Sequence, residues 1–244
     1  VRETSIPWLR NMYLYSAGIT PRLLEVIASE PRILRYLDMP IQHASDAVLE
    51  RMRRPERQKT IREKVARFRE AVPGVAIRTT CIVGFPGETE DDFQQLVDFL
   101  QEIQFERVGV FTYSPQEGTR GAQLADDVPD ALKRERLEAV QELQRHITAE
   151  RYESRVGAVA PALVVARGEA RLPWQADDID GVTYIDASVP VGSLVELAVD
   201  EVVDDYDFRA TLRRVLAPPP QASAEPARGR ALPLISTSIG SFGR

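Results

Sequence analysis

At 244 residues the chain is long enough for one large domain or two smaller ones with a real core. Its 43% hydrophobic content is ordinary for a soluble protein, no apolar run approaches the roughly 20 residues of a membrane span, and a lone Cys81 excludes an internal disulfide framework and fits a reducing, cytoplasmic setting. The net charge of −6 is concentrated: Ala158 to Leu216 holds five arginines against eleven acids, the whole imbalance, which reads either as a solvated acidic surface or as a docking face for a basic macromolecule.

The first residues, Val1-Arg2-Glu3-Thr4-Ser5, carry no initiator Met and no signal-peptide pattern, so the chain is expected to begin inside a longer protein. Asn11 to Tyr15 predicts a short strand. Thr20 then predicts a helix cap, with Pro21 in the first turn and Leu23, Leu24, Val26 and Ile27 inside. Arg35 to Met39 predicts a second strand. Ser45 caps a helix carrying Val48, Leu49 and Met52, and Thr60 starts another with Ile61, Val65 and Phe68 on one face. The run from Val75 to Val83 reads as a buried strand, stopped by Gly84-Phe85-Pro86-Gly87. Thr89 caps the next helix, with Glu90, Asp91 and Asp92 in its first turn, where carboxylates suit the helix dipole. Val108 to Tyr113 is a fourth strand, and a long helix is expected from about Asp130 to Tyr152.

Strands alternating with helices imply right-handed crossovers and a parallel sheet. Four β-α units do not close a barrel, so in the α/β part, residues 1–156, either the sheet is open or strands of a (β/α) barrel are missing. Beyond Gly157 helical periodicity is lost. Short β runs at Ala162–Val165, Val182–Ile185 and Leu194–Val199 predict a small all-β barrel over residues 157–216. The Pro-, Ala- and Ser-rich tail, 217–244, predicts disorder.

The strand-end loops converge on one rim, where ligands of α/β folds sit. They offer Gln42, His43, the Gly84–Thr89 loop, Tyr113 and Ser114. Arg78 and Thr80 share one face of their strand, and a polar pair inside a sheet needs hydrogen-bonding partners or a ligand. The acidic turn after Gly87 already occupies the helix dipole, which disfavours a phosphate there and favours a cationic or zwitterionic ligand. No Ser/His/Asp arrangement is readable from two histidines, and no catalytic or metal-ligating set is assigned. Arg51, Arg53, Arg54, Arg57 and Lys59 cluster around Pro55. That run is either a solvated helix end or a docking point for an acidic partner or nucleic acid.

The order and spacing of several blocks resemble the radical S-adenosylmethionine methylthiotransferases. They are Tyr36-Leu37-Asp38-Met39-Pro40-Ile41-Gln42-His43-Ala44-Ser45, Arg78-Thr79-Thr80-Cys81-Ile82-Val83-Gly84-Phe85-Pro86-Gly87-Glu88-Thr89, Val110-Phe111-Thr112-Tyr113-Ser114-Pro115, and Asp178-Ile179-Asp180-Gly181-Val182. The Gln-His-Ala-Ser and Arg-Thr-Thr variants resemble the branch acting on an aspartate of small-subunit ribosomal protein S-twelve rather than the tRNA-modifying branch. The resemblance implies a partial radical barrel followed by a TRAM-like β barrel. It also implies S-adenosylmethionine as cofactor and a 4Fe-4S cluster that cleaves it to a radical, with a second cluster as the sulfur source. It carries cofactor contacts onto Gln42, Arg78, Thr80, Gly84, Phe111 and Tyr113, with His43, Phe85, Pro86 and Gly87 beside them. The cysteines that hold such clusters in the family are absent, since Cys81 is the only one. The expectation is therefore the C-terminal portion of a methylthiotransferase, inactive without its N-terminal half, with the acidic barrel facing the basic ribosomal protein. The alternatives are a fragment of the tRNA-adenosine branch, or a binding module without chemistry.

Overall fold

β3 (Ala76–Val83) is a central strand of a four-stranded parallel sheet in the order β1-β2-β3-β4, with β1 at Leu9–Asn11, β2 at Ile33–Asp38 and β4 at Arg107–Thr112. The computed structural model describes residues 3–177 and 179–220. Five helices connect and follow the strands: α1 Pro21–Ser29, α2 Asp46–Arg51, α3 Gln58–Ala71, α4 Glu90–Ile103 and α5 Asp130–Glu153. The expected four β-α units are present.

Local chemistry explains most of these boundaries. Thr20 Oγ1 accepts from Leu23 N at 3.2 Å, Ser45 Oγ from Val48 N at 3.4 Å, and Thr89 Oγ1 from Asp92 N at 3.1 Å. Each satisfies an amide that the first helical turn leaves without a partner. Thr60 does not start α3. Its hydroxyl accepts from Arg57 N at 2.9 Å from the third helical position, so the helix begins two residues earlier, at Gln58. The first strand forms at Leu9–Asn11 rather than Asn11–Tyr15, because Tyr13 turns into the left-handed region at φ 54° and its amide donates to Asp38.

Side chains alternate across the sheet with period two. Ile77, Cys81 and Val83 point toward the helices and share one core with Val65, Phe68, Leu96 and Phe99. Each such aliphatic or aromatic side chain stabilises the fold by roughly 1.5–3 kcal/mol on burial. Leu34, Tyr36 and Ala76 point to the other, concave face and belong to a second core made chiefly by the β domain.

That domain is a closed barrel, β5-β6-β7-β9-β8, built from β5 Val159–Ala166, β6 Glu169–Arg171, β7 Thr183–Tyr184, β8 Leu194–Val203 and β9 Asp207–Ala217. Two strands went unread in the sequence, β6 and β9. Ala217, expected to open the tail, ends β9, and the tail from residue 221 onward lies outside the described residues. Closure removes the unpaired edges that a small open sheet would expose.

The barrel packs on the concave face near the start of the strands, and Asp180 is the centre of that junction. Its fully buried carboxylate accepts from Tyr36 Oη on β2, from Arg107 Nε on β4 at 3.2 Å and from Ala176 N at 3.0 Å. Arg10 donates to the carbonyls of Pro173 and Gln175 at 2.9 and 2.7 Å and lies over the Tyr36 ring. Tyr152 of α5 stacks on Phe208 with ring centres 4.6 Å apart.

Candidate functional site

With the barrel covering one end of the concave face, the strand ends at the other remain open and line a cavity of about 660 Å³. Gln42, Thr80, Phe85, Phe111 and Tyr113 all line it, together with Ile82. Five of the ten residues anticipated as cofactor contacts thus share one surface. His43, Arg78, Gly84, Pro86 and Gly87 stand behind or beside it.

Gln42 reaches the cavity because of an unusual backbone. It lies at φ 73°, and its amide and carbonyl bridge Thr80 O (2.9 Å) and Ile82 N (2.8 Å), so the segment after β2 is zipped onto β3. Thr79 supports the same segment, its hydroxyl accepting from Ile41 N at 3.1 Å and donating to Met39 O at 2.8 Å. Arg78 lies deeper on the concave face. It donates to the fully buried Asp38 at 2.9 Å, and Asp38 also accepts from Tyr13 N at 3.1 Å. The neighbouring strand makes room with Gly109, where a Cβ would sit 3.2 Å from the Arg78 guanidinium.

The glycine loop is organised by Glu88, which sequence reasoning did not single out. One carboxylate oxygen accepts from Gly84 N at 2.9 Å and Phe85 N at 3.3 Å, and the other accepts from Arg136 Nη1 at 2.8 Å. His43 is fully buried. Its Nδ1 accepts from Ser45 N at 2.9 Å, which leaves Nε2 facing Glu88 at 3.5 Å. Burial works against the Glu88 carboxylate, but the bonds and charges of His43, Gly84 and Arg136 outweigh it and hold its pKa below the ordinary range. Both glycines are needed here. Gly84 has φ 73°, with Lys133 Cγ occupying the space a Cβ would take, and Gly87 has φ 75° beneath Arg51.

Asp92, also unforeseen as a site residue, ties the next helix to this loop. It accepts from Ser45 Oγ, Thr89 N and Arg51, at 3.0 Å for Thr89 and 3.2 Å for Arg51. Burial opposes its charge, yet these donors bring its pKa down to about 2. The only signals for Glu88 and Asp92 in the sequence were spacings, four residues after Gly84 and three after Thr89.

S-adenosylmethionine suits the cavity. Phe85 and Tyr113 pack edge to face at 5.0 Å beside Phe111, which is 58% exposed, and offer apolar and aromatic surface. Gln42 and Thr80 bring polar groups, and the Tyr113 hydroxyl is buried with no hydrogen-bond partner among the described residues. An iron–sulfur cluster does not fit this chain. Burial pushes the Cys81 thiol up to about 12, its side chain joins the helix-side core, and no cluster of metal-ligating side chains occurs among the described residues. Among the described residues no helix is long and apolar enough to cross a membrane.

Residues 2–100 match the sequence model of the Radical SAM superfamily. The ribosomal protein uS12 methylthiotransferase of Anaeromyxobacter sp. (strain Fw109-5) is 42% identical over 229 residues, covering 91% of this chain and 48% of that protein. The enzyme of the same name from Geobacter sulfurreducens is 42% identical over 211 residues, 83% of this chain and 47% of its own length. The chain thus spans about half the length of the curated relatives it matches. A solved structure, coproporphyrinogen III oxidase from Escherichia coli, superposes with a TM-score of 0.48 at 17% identity over 58% of this chain and 32% of its own. Over most of its length the chain is thus similar to radical SAM uS12 methylthiotransferases, and its residues 2–100 carry the superfamily match.

Proposed function

We propose that this chain is the C-terminal portion of an enzyme that adds a methylthio group to the β-carbon of an aspartate in a small-subunit ribosomal protein. The observation that carries the reading is the aromatic and polar cavity at the strand ends, on a chain 42% identical to uS12 methylthiotransferases. Gln42, Thr80, Phe111 and Tyr113 would hold S-adenosylmethionine there, which when bound supplies a carbon radical and a methyl group. The chain's own contribution is to bind and to orient. The Phe85–Tyr113 pair provides a stacking wall, and the Tyr113 hydroxyl and the Gln42 amide provide polar contacts. The Glu88–Arg136 pair keeps the glycine loop from shifting when a ligand presses on it. Since the one thiol is buried, the ligands of the 4Fe-4S clusters come from outside these residues, and the chain alone is inactive.

The closed β barrel reads as TRAM-like, and its acidity suits a basic protein. Part of that acidity is neutralised internally, Glu196 by Arg214 at 3.0 Å and Glu201 by Arg209. At the β8–β9 turn Asp205 pairs with Arg145 at 3.8 Å and Asp207 accepts from Val182 N and Tyr184 Oη, while Asp204 has no ion-pair partner among the described residues. A surface of that sign attracts lysine- and arginine-rich chains and repels nucleic-acid phosphate, which favours the ribosomal-protein branch over the tRNA branch.

The test is to co-express the chain with the cysteine-bearing remainder of the Anaeromyxobacter relative, reconstitute under anaerobic conditions, and incubate with uS12 and S-adenosylmethionine. The expected result is a mass gain of one methylthio group on an aspartate of uS12, and none from the chain alone. Modification of tRNA instead, or turnover by the isolated chain, would overturn the reading.

A further inference from the structure

The charged side chains lining the strand-end cavity are all arginines: Arg51, Arg53, Arg54 and Arg120, with no carboxylate among the lining residues. Arg51 is committed to Asp92 at 3.2 Å. The other three have no ion-pair partner among the described residues, and Arg54 has only a distant ring, that of Tyr15 at 6.0 Å. Arg53 and Arg120 also edge an adjoining opening of about 960 Å³, where Glu50 is the one acid. Three guanidinium groups left unpaired beside one cavity repel one another and favour an anionic guest.

The backbone supplies a second, independent observation. Arg53 lies at φ 58° at the position that closes α2. Its amide donates to Glu50 O at 3.0 Å, and Arg54 N donates to Leu49 O at 2.8 Å. That pair of bonds is the helix-ending motif in which glycine normally occupies the left-handed residue. An arginine there is unfavourable for the fold, and an unfavourable conformation retained at a cavity edge points to use. It swings the side chain off the helix axis and onto the rim shared with Gln42 and Tyr113.

The geometry points to a carboxylate clamp: Arg53, Arg54 and Arg120 grip the side chain of the residue to be modified and so select an acidic residue over its amide. Guanidinium groups match a carboxylate with paired donors, and such charge-assisted bonds are stronger than those an amide could make in its place. The inference rests on the function proposed above, since it places the substrate residue in that cavity. It differs from the acidic barrel, which would recruit the basic body of the partner. The clamp reads one residue.

The test titrates the full chain with N-acetyl-aspartate N-methylamide and with the asparagine counterpart, followed by nuclear magnetic resonance. The aspartate compound should bind about tenfold more tightly, as charge-assisted bonds imply. The variants Arg53→Gly and Arg120→Gln should each remove most of that preference, and Arg53→Gly should leave the melting temperature the same or higher. Equal binding of the two compounds, or a preference retained in both variants, overturns the clamp. A parallel titration with S-adenosylmethionine and its decarboxylated analogue identifies the carboxylate served. If the variants lose cofactor affinity only when the cofactor's own carboxylate is present, the clamp belongs to the cofactor and the inference fails. Binding of uS12 is measured separately. Its loss would strike the proposed function, whereas its persistence without aspartate selectivity would strike the clamp alone.

Discussion

Replacing Glu88 by Gln tests whether one carboxylate sets the wall of the strand-end cavity. The substitution keeps the shape but not the bonding. Glu88 accepts from two backbone amides at one oxygen and from Arg136 at the other, so a glutamine must turn its NH2 toward one set of donors. Either choice faces donor against donor. Arg136 is 2% exposed, and the only carboxylate it would keep is the exposed one of Glu90, 3.1 Å from its Nη2, beside the backbone carbonyl of residue 88 at 3.2 Å. Breaking a buried pair by neutralising one member costs about 3–5 kcal/mol, a large share of the roughly 5–15 kcal/mol that holds an ordinary domain together. Glutamine recovers part of this through its remaining acceptor, so about 3 kcal/mol is expected. The assay is urea unfolding followed by far-ultraviolet circular dichroism, with Arg136→Met and the double variant completing a cycle. The double variant should be less destabilised than the two singles added together, because it leaves no charge stranded. A loss below about 1 kcal/mol for Glu88→Gln, or strict additivity in the cycle, would refute the reasoning.

Acid should weaken the same region. Asp92 and Glu88 have folded-state pKa values depressed below their ordinary range, against burial, by the donors around them. Their stabilisation is complete above the unfolded values and is lost as pH falls, for Asp92 from about 3.8 toward about 2. Hydrogen exchange at the start of α4 should therefore accelerate across that interval, and Asp92→Asn should flatten the dependence. Gly84→Ala places a methyl against Lys133 at φ 73° and should cost at least about 1–2 kcal/mol, measured by the same unfolding assay. Asp180→Asn should loosen the barrel from the sheet, since Arg107 and Tyr36 bond separate oxygens of the carboxylate and the amide keeps only one of them and loses the charge. Limited proteolysis near Gly157 should quicken while far-ultraviolet dichroism stays unchanged, and cleavage at the native rate would refute the junction's role.

Much of the α/β unit was legible because its signals are local. Thr20, Ser45 and Thr89 cap the helices they were expected to cap, and the alternation of β3 continues in the residues that line the cavity. In β9, Phe208 and Ala210 point inward while Arg209 and Thr211 point out, a period of two that the preceding Asp204-Asp205-Tyr206-Asp207 run obscured. The site was legible only at its surface. Glu88 and Arg136 are 48 positions apart, and no spacing rule connects them. Arg53 resembles any basic residue near a helix end, and its left-handed backbone becomes visible only once Leu49 and Glu50 are seen to receive the closing bonds.

Under the proposed function, the junction at Asp180 would bear on how a tethered substrate reaches the cavity. β4 runs from Arg107, held by that carboxylate, to Phe111 at the cavity, so the barrel and the wall share one stiff strand. A protein caught by the barrel's acids would be held at a constrained reach from the cavity rather than diffusing to it. Stiffness of that kind acts as a high effective concentration for whichever residue hangs at the right distance, and close to zero for the others. Selection along a partner's chain would then be a measurement of length, made before any side chain is inspected.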